Sequence, residues 1–224
     1  MKIGIIDVLK QVRPFFIPYL ILMAACIIIK LLFTKEQIYF GVNGLYSDFA
    51  DEIAPYITDL GNGWTIVIIS AVLVLFNYRT AFLMATTYAI TSLSVQIVKY
   101  IADADRPTLL YHDKLKMMHL VKGMYNLQFY SFPSGHTVTA FSTGLLVTYL
   151  VKNKNWGWLL FIAATLIGYS RMYLSQHFFE DVMAGSVIGV IITVFWLSWL
   201  DSKLFIHTGK WNTGLISTLK NNRT

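Results

Sequence analysis

Cysteine occurs once in the 224 residues, at Cys26, so an intrachain disulfide is excluded and cysteine carries no information about redox compartment. Charge is also scarce. Asp, Glu, Lys and Arg make up 13% of the chain, against about 25% in an ordinary soluble domain. No H-E-x-x-H pattern and no cysteine cluster is present, which removes the common sequence signatures of a metal site. No Lys/Arg tract interleaved with aromatics suggests a nucleic-acid groove. Internal repeats, low-complexity tracts and interdomain linkers are absent, so residues 1–224 are read as one domain.

What the chain has instead is long apolar runs: Phe15–Phe33, Trp64–Asn77, Ala81–Val98, Thr137–Val151, Trp158–Gly168 and Val182–Leu200. A spanning helix needs about 20 mostly apolar residues. Three runs reach or approach that length alone, and the others do so with their flanking Gly, Thr, Ser and Tyr. The expected fold is all-α, a polytopic bundle of six transmembrane helices. Met23-Ala24-Ala25-Cys26 faintly resembles a lipoprotein processing box. The run containing it is longer than a signal-peptide core of about 7–15 residues, and is read as an uncleaved first helix.

Charge sets the expected orientation. With six spans both termini share a side, and the segments on that side carry ten basic residues, Lys2, Lys10, Arg13, Arg79, Lys152, Lys154, Lys203, Lys210, Lys220 and Arg223, against Asp7 and Asp201. Lys and Arg concentrate in cytoplasmic loops, so both termini are expected in the cytoplasm and the protein in the cytoplasmic membrane. The basic balance is thus a matter of topology. Two connections on the opposite side are long. Residues 34–63 place Phe49, Ile53, Tyr56, Ile57 and Leu60 at helical spacing opposite Asp48, Asp51, Glu52 and Asp59, an amphipathic helix lying on the membrane or over the spans. Residues 108–130 carry Lys114, Lys116, Lys122, His112 and His119 among apolar residues, and read equally as a membrane-skimming loop or as a lid for an anionic headgroup.

Three short segments fall on that same opposite side: Lys99-x6-Arg106-Pro107, Pro133-Ser134-Gly135-His136, and Ser170-Arg171-x5-His177-x3-Asp181. Lys99, Arg106 and Arg171 supply one ammonium and two guanidinium forks, the latter matched to phosphate oxygens. Each alone reads as a snorkelling or paired cation, with Asp103, Asp105 or Glu180 as partners; all three at this spacing point to a tetrahedral oxyanion. Ser134 and the N–H of Gly135 stand at a helix start, where free N–H groups cradle phosphate. His177 and Asp181 are four apart and share a helical face, the arrangement of an oriented nucleophile. His136 stands beside the cradle, placed to protonate a leaving oxygen and then activate water. Asp103, Asp105, Glu180, Asp181 and the histidines are conceivable metal ligands. Three fixed cations already neutralise phosphoryl charge as Mg²⁺ does, so no metal and no cofactor is expected.

The three motifs, in order and with their internal spacing, resemble the type 2 phosphatidic acid phosphatase family, whose pattern K-x6-R-P, P-S-G-H, S-R-x5-H-x3-D the chain matches without departure. The motifs cover 99–181, and the six-span layout extends the likeness over most of the chain. The resemblance implies that Lys99, Arg106, Arg171, Ser134 and Gly135 hold phosphate. It implies that His177 attacks phosphorus to form a phosphohistidine, that Asp181 orients His177, and that His136 is the general acid, without a metal cofactor. It further implies a membrane lipid phosphate as substrate and partner: undecaprenyl pyrophosphate, lipid A, phosphatidylglycerophosphate or phosphatidic acid. A lipid-to-lipid phosphotransferase shares the same first step. A non-catalytic lipid or ion transporter accounts less well for charges gathered at one end of the spans.

Overall fold

The computed structural model describes residues 4–221, and among them every regular element is helical. In chain order these are α1 (Ile5–Gln11), α2 (Arg13–Leu32), α3 (Lys35–Asn43), α4 (Asp48–Asp59), α5 (Gly63–Phe76), α6 (Tyr78–Ala102), α7 (Pro107–Leu110), α8 (Gly135–Leu150), α9 (Trp156–Tyr173), α10 (Phe179–Leu200) and α11 (Leu215–Asn221). Short 3₁₀ turns lie at His112–Met117, Leu204–His207 and Gly209–Asn212. Each of the six apolar runs forms one helix: α2, α5, α6, α8, α9 and α10.

By length and hydropathy, three helical stretches qualify as membrane spans on their own: α2, the stretch Tyr78–Leu110 that contains α6, and α10. The pair α4–α5, bent by 49°, adds a fourth if taken as one broken span. α8 falls short first because it is only 16 residues long, and second because of its composition. Thr137, Thr139, Ser142 and Thr148 lower its hydropathy, yet all four are buried. α8 lies at the centre, packed on α9, α10 and α6, so it does not present a lipid-facing surface along its length. The main core forms around it: Phe15, Leu83, Phe141, Leu145, Leu146, Val190 and Leu197. Phe15 stands edge-on to Phe141 and Phe161, at 6.0 and 5.9 Å between ring centres.

Close approach of α10 to α8 depends on two glycines spaced by four, Gly185 and Gly189. A Cβ on Gly185 would stand 2.7 Å from the Ser134 carbonyl oxygen, and one on Gly189 2.8 Å from that of Val138. Small residues at this spacing let membrane helices touch through their backbones. The consequence is local: the N-termini of α8 and α10 are locked side by side.

Residues 34–63 form two helices rather than one. Thr34 and Gln37 close a reciprocal capping box that starts α3, the Gln37 N–H donating to Thr34 Oγ1 at 3.2 Å and the Thr34 N–H to Gln37 Oε1 at 2.9 Å. α4 is amphipathic as expected, but its large apolar residues face outward: Phe49, Tyr56 and Leu60 are exposed. Its buried side is Ala54 and Thr58, packed on α9. Asp51 turns inward, accepting the Tyr173 hydroxyl and pairing with His119 at 2.8 Å.

The 108–130 connection is held down by the same region. Asn43 donates to the His119 carbonyl and accepts from its N–H, both at 2.8 Å. Tyr46 stacks flat on His119 with ring centres 4.1 Å apart, and Lys114 pairs with Glu36 at 2.5 Å. Two of the five basic side chains noted there are thus partnered by carboxylates of α3 and α4.

Candidate active site

The three motif segments come together at one end of the bundle. α6 carries Lys99 in its last turn. Arg106 N-caps α7, Ser134 N-caps α8, Arg171 ends α9, and Asp181 is the third residue of α10. His177 occupies the connection between α9 and α10 and is 2% exposed. Burial first, and then the charges of Arg106, Arg171, Lys99 and the neighbouring His136, hold its imidazole well below the ordinary histidine range. Burial and the surrounding positive charge thus favour the neutral form of this ring.

Its acidic partner is Asp181. The Asp181 Oδ2 lies 3.5 Å from His177 Nδ1, and the same oxygen accepts the Ser131 hydroxyl at 2.5 Å and the Phe178 N–H at 2.8 Å. The last contact caps α10, placing a carboxylate at the positive end of the helix dipole. Asp181 is tied to the cradle too: its carbonyl accepts the Ser134 N–H at 3.0 Å. The Ser134 hydroxyl accepts from the Thr137 N–H at 3.4 Å and from the Thr137 hydroxyl at 2.9 Å. Both bonds use its oxygen and leave its own hydrogen free to donate.

The cations are aimed by backbone carbonyls and a few side chains. Lys99 Nζ donates to the Tyr130 carbonyl at 2.5 Å. Arg106 donates through Nε to the Phe129 carbonyl at 2.9 Å, and through Nη1 to the carbonyl and side-chain oxygen of Gln176 at 3.0 and 3.2 Å. Arg171 Nη1 donates to Thr58 Oγ1 at 2.8 Å, while its Nε is buried with no hydrogen-bond partner among the described residues. A buried, unpaired guanidinium N–H beside two more cations is a donor waiting for an anion. Two residues flanking this region hold left-handed backbone, Tyr130 at φ 57° and Ser175 at φ 54°. Ser175 is fixed by Tyr39 at 2.8 Å and Asn43 at 3.2 Å. Non-glycine residues in this conformation persist where their surroundings over-determine them.

Every residue named from the sequence is therefore at this one end. Ser131, Thr58 and Gln176 join them unannounced. Ser131 stands three residues before Ser134, close enough to have been suspected. Thr58 had only the signal of a polar residue on the narrow face of α4.

Two cavities lead inward. One of about 150 Å³ is lined by Gly61, Gly63, Tyr88, Ser92, Gln96, Lys99, His136 and Thr139 among others. A larger apolar groove of about 690 Å³ runs between α5 and α6 past Val67, Val74, Phe82 and Trp211, and it shares Tyr88 with the first.

Residues 80–204 match the model of the PAP2 superfamily. The chain belongs to that superfamily. Over 203 residues it is 27% identical to undecaprenyl-diphosphatase of Sulfolobus acidocaldarius, covering 85% of this chain and 90% of that protein. It is 41% identical over 78 residues to the bacitracin transport permease protein BcrC of Bacillus licheniformis, a stretch covering 34% of this chain and only 37% of that protein's length. The crystal structure of Aquifex aeolicus LpxE superposes with a TM-score of 0.64 at 26% identity, covering 72% of this chain and 93% of that one. The helical fold is thus shared with a solved relative over most of its length.

Proposed function

We propose that this PAP2 protein is a metal-independent lipid phosphate phosphatase that works through a phosphohistidine on His177, as one six-span domain. The observation that carries the reading is a buried His177 with Asp181 Oδ2 at 3.5 Å from its Nδ1, at the bundle end where Lys99, Arg106 and Arg171 gather. Lys99, Arg106 and Arg171 hold the phosphate, with the Gly135 N–H and the Ser134 hydroxyl completing the pocket. Asp181 Oδ2 stands 3.5 Å from Nδ1, which has no other partner among the described residues; drawn together in the substrate complex the two fix the tautomer, and Nε2 attacks phosphorus. His136, at the mouth of the smaller cavity, protonates the departing oxygen and then draws a proton from the water that hydrolyses the phosphohistidine. The substrate is a lipid phosphomonoester or diphosphate, its hydrocarbon chain suited to the apolar groove between α5 and α6.

Placement at the outer face of the cytoplasmic membrane is supported by the two ends of α10. Asp181 and Asp201 are twenty residues apart, roughly 30 Å at 1.5 Å per residue, the thickness of the hydrocarbon core. The site lies at the Asp181 end. Arg79, Lys152 and Lys154 gather around Asp201 at the other, as the excess of basic residues in cytoplasmic loops requires.

The experiment is phosphate release in detergent with EDTA present, comparing the unaltered protein with His177→Ala on undecaprenyl pyrophosphate, lipid A, phosphatidylglycerophosphate and phosphatidic acid. Release by the unaltered protein alone is the expected result. Substantial residual turnover in His177→Ala sinks the nucleophile assignment. Loss of activity in EDTA that Mg²⁺ or Zn²⁺ restores sinks metal independence. Labelled phosphate on an acceptor lipid identifies a phosphotransferase using the same first step.

A further inference from the structure

The smaller cavity shares Lys99, Gly135 and His136 with the phosphate site, and its other polar residues, Tyr88, Ser92, Gln96 and Thr139, are left unused by the phosphomonoester chemistry. Tyr88, Ser92, Gln96 and Lys99 succeed one another along one side of α6, at the three- and four-residue spacings that share a helix face. Thr139 of α8 faces the same space. Among the described residues the side chains of Tyr88, Ser92, Gln96 and Thr139 are engaged by no other protein group; Thr139 is buried, Tyr88 and Ser92 are half-buried, and Gln96 is open to an incoming ligand. The lining carries one fixed cation, Lys99, and no carboxylate. Donors, a positive charge and no acidic group describe a site for an anion rather than for a neutral polyol.

Resting on the phosphatase reading above, we propose that this chamber receives the proximal phosphate of a lipid diphosphate, and that Gln96, Ser92 and Tyr88 determine a preference for diphosphates over monophosphates. The order of parts matches. Along α6 the protein presents the apolar groove, then Tyr88, which lines both cavities, then the polar chamber, which ends on Lys99 and His136 beside the phosphate site. A lipid diphosphate presents hydrocarbon chain, proximal phosphate, bridging oxygen, distal phosphate. In that register a bond forms between His177 and the distal phosphorus while its bond to the bridging oxygen breaks. His136 gives its proton to that oxygen, and a lipid monophosphate leaves. Water then attacks the phosphohistidine, returning a proton to His136 and releasing inorganic phosphate. A monophosphate ester would place only its alcohol oxygen here and leave the Gln96 and Ser92 donors unmatched. Gly63 fits the same picture: a Cβ there would overlap the Tyr88 hydroxyl at 1.9 Å, so the glycine lets that hydroxyl stand at the junction.

The test compares farnesyl diphosphate with farnesyl monophosphate, an identical chain with and without the second phosphate, and adds phosphatidylglycerophosphate as a hydroxyl-bearing headgroup. Gln96→Leu, Ser92→Ala and Tyr88→Phe are measured singly, with folding checked by thermal shift; Gln96 is on the surface of α6 and the other two changes are small. Loss of a hydrogen bond to a charged group predicts a fall in kcat/KM on the diphosphate of about tenfold or more for Gln96→Leu, with a clearly smaller fall on the monophosphate. Equal falls on both, or the largest fall on phosphatidylglycerophosphate, overturn the proposal. If the unaltered protein prefers the monophosphate, the chamber is not a diphosphate site, whereas release from none of the lipids refutes the phosphatase reading itself.

Discussion

Ser131 Oγ stands 2.5 Å from Asp181 Oδ2, closer to that oxygen than His177 Nδ1 at 3.5 Å. The carboxylate proposed to orient the histidine is thus itself held by a hydroxyl and by the N–H of Phe178, the N-cap of α10. A hydrogen bond to a buried charged group contributes about 1.5–3 kcal/mol. Ser131→Ala should therefore lower kcat by about tenfold or more, with little change in KM because Ser131 does not reach the cations. Ser131→Thr, which keeps the hydroxyl, should recover much of the loss. A Ser131→Ala variant with unchanged kcat would show that α10 alone fixes Asp181.

His177 also ties stability to pH. Its folded-state affinity for protons is depressed by burial and by the surrounding cations, while in the unfolded chain it titrates at about 6.5. The unfolded state therefore binds more protons below that point. Stability contributed by the neutral ring is complete above about pH 6.5 and is lost as pH falls, at up to about 1.4 kcal/mol per pH unit. Thermal unfolding in detergent between pH 5 and 8 should show Tm falling on the acid side. His177→Gln should flatten that slope.

The Gly185 contact makes a steric prediction. Gly185→Val puts branched carbon where the Ser134 carbonyl already stands at 2.7 Å from the Cβ position. The least movable thing nearby is the α8 N-terminus, which carries Ser134, Gly135 and His136. Overpacking of this kind costs about 1–3 kcal/mol. Activity should drop more steeply than Tm, because the displaced backbone is the phosphate cradle. A normal rate in Gly185→Val would mean that the cradle is not held by α10.

Much of the site was legible because its chemistry is written in short segments with fixed internal spacing, and those segments meet at one end of the bundle. The parts that were not legible are tertiary. Ser131 and Thr58 reach the site from a loop and from the buried side of α4, and neither residue type is unusual where it stands. For α4 the amphipathic pattern was legible but the packed face was not: the close packing on α9 admits only Ala54 and Thr58, and the larger apolar side chains face outward. α3 announced itself through the Thr34–Gln37 capping pattern, which the amphipathic signal downstream obscured. For α8 the difficulty is reversed: Thr137, Thr139, Ser142 and Thr148 dilute its hydropathy because neighbouring helices, not lipid, surround it.

At the far end of the bundle Asp201, 1% exposed, joins four elements. Arg79 of α6 grips it with Nη2 at 2.7 and 2.8 Å and Nε at 3.2 Å, and the Tyr149 hydroxyl of α8 donates at 2.5 Å. Its own position caps α10, and its backbone carbonyl meets His207 Nε2 at 2.6 Å. Removing one partner of a buried ion pair costs about 3–5 kcal/mol because the other charge is stranded. Asp201→Asn should lower Tm markedly in detergent. The site lies roughly 30 Å away along α10, so KM for the lipid should stay within about twofold at a temperature where the variant remains folded, since no helix end near the cations is disturbed. Replacing both partners with Arg79→Met and Asp201→Leu should recover much of the stability, since no unpaired charge is then buried. If the double variant is no more stable than Asp201→Asn, the Tyr149 hydroxyl rather than the ion pair is what holds α6, α8 and α10 together there.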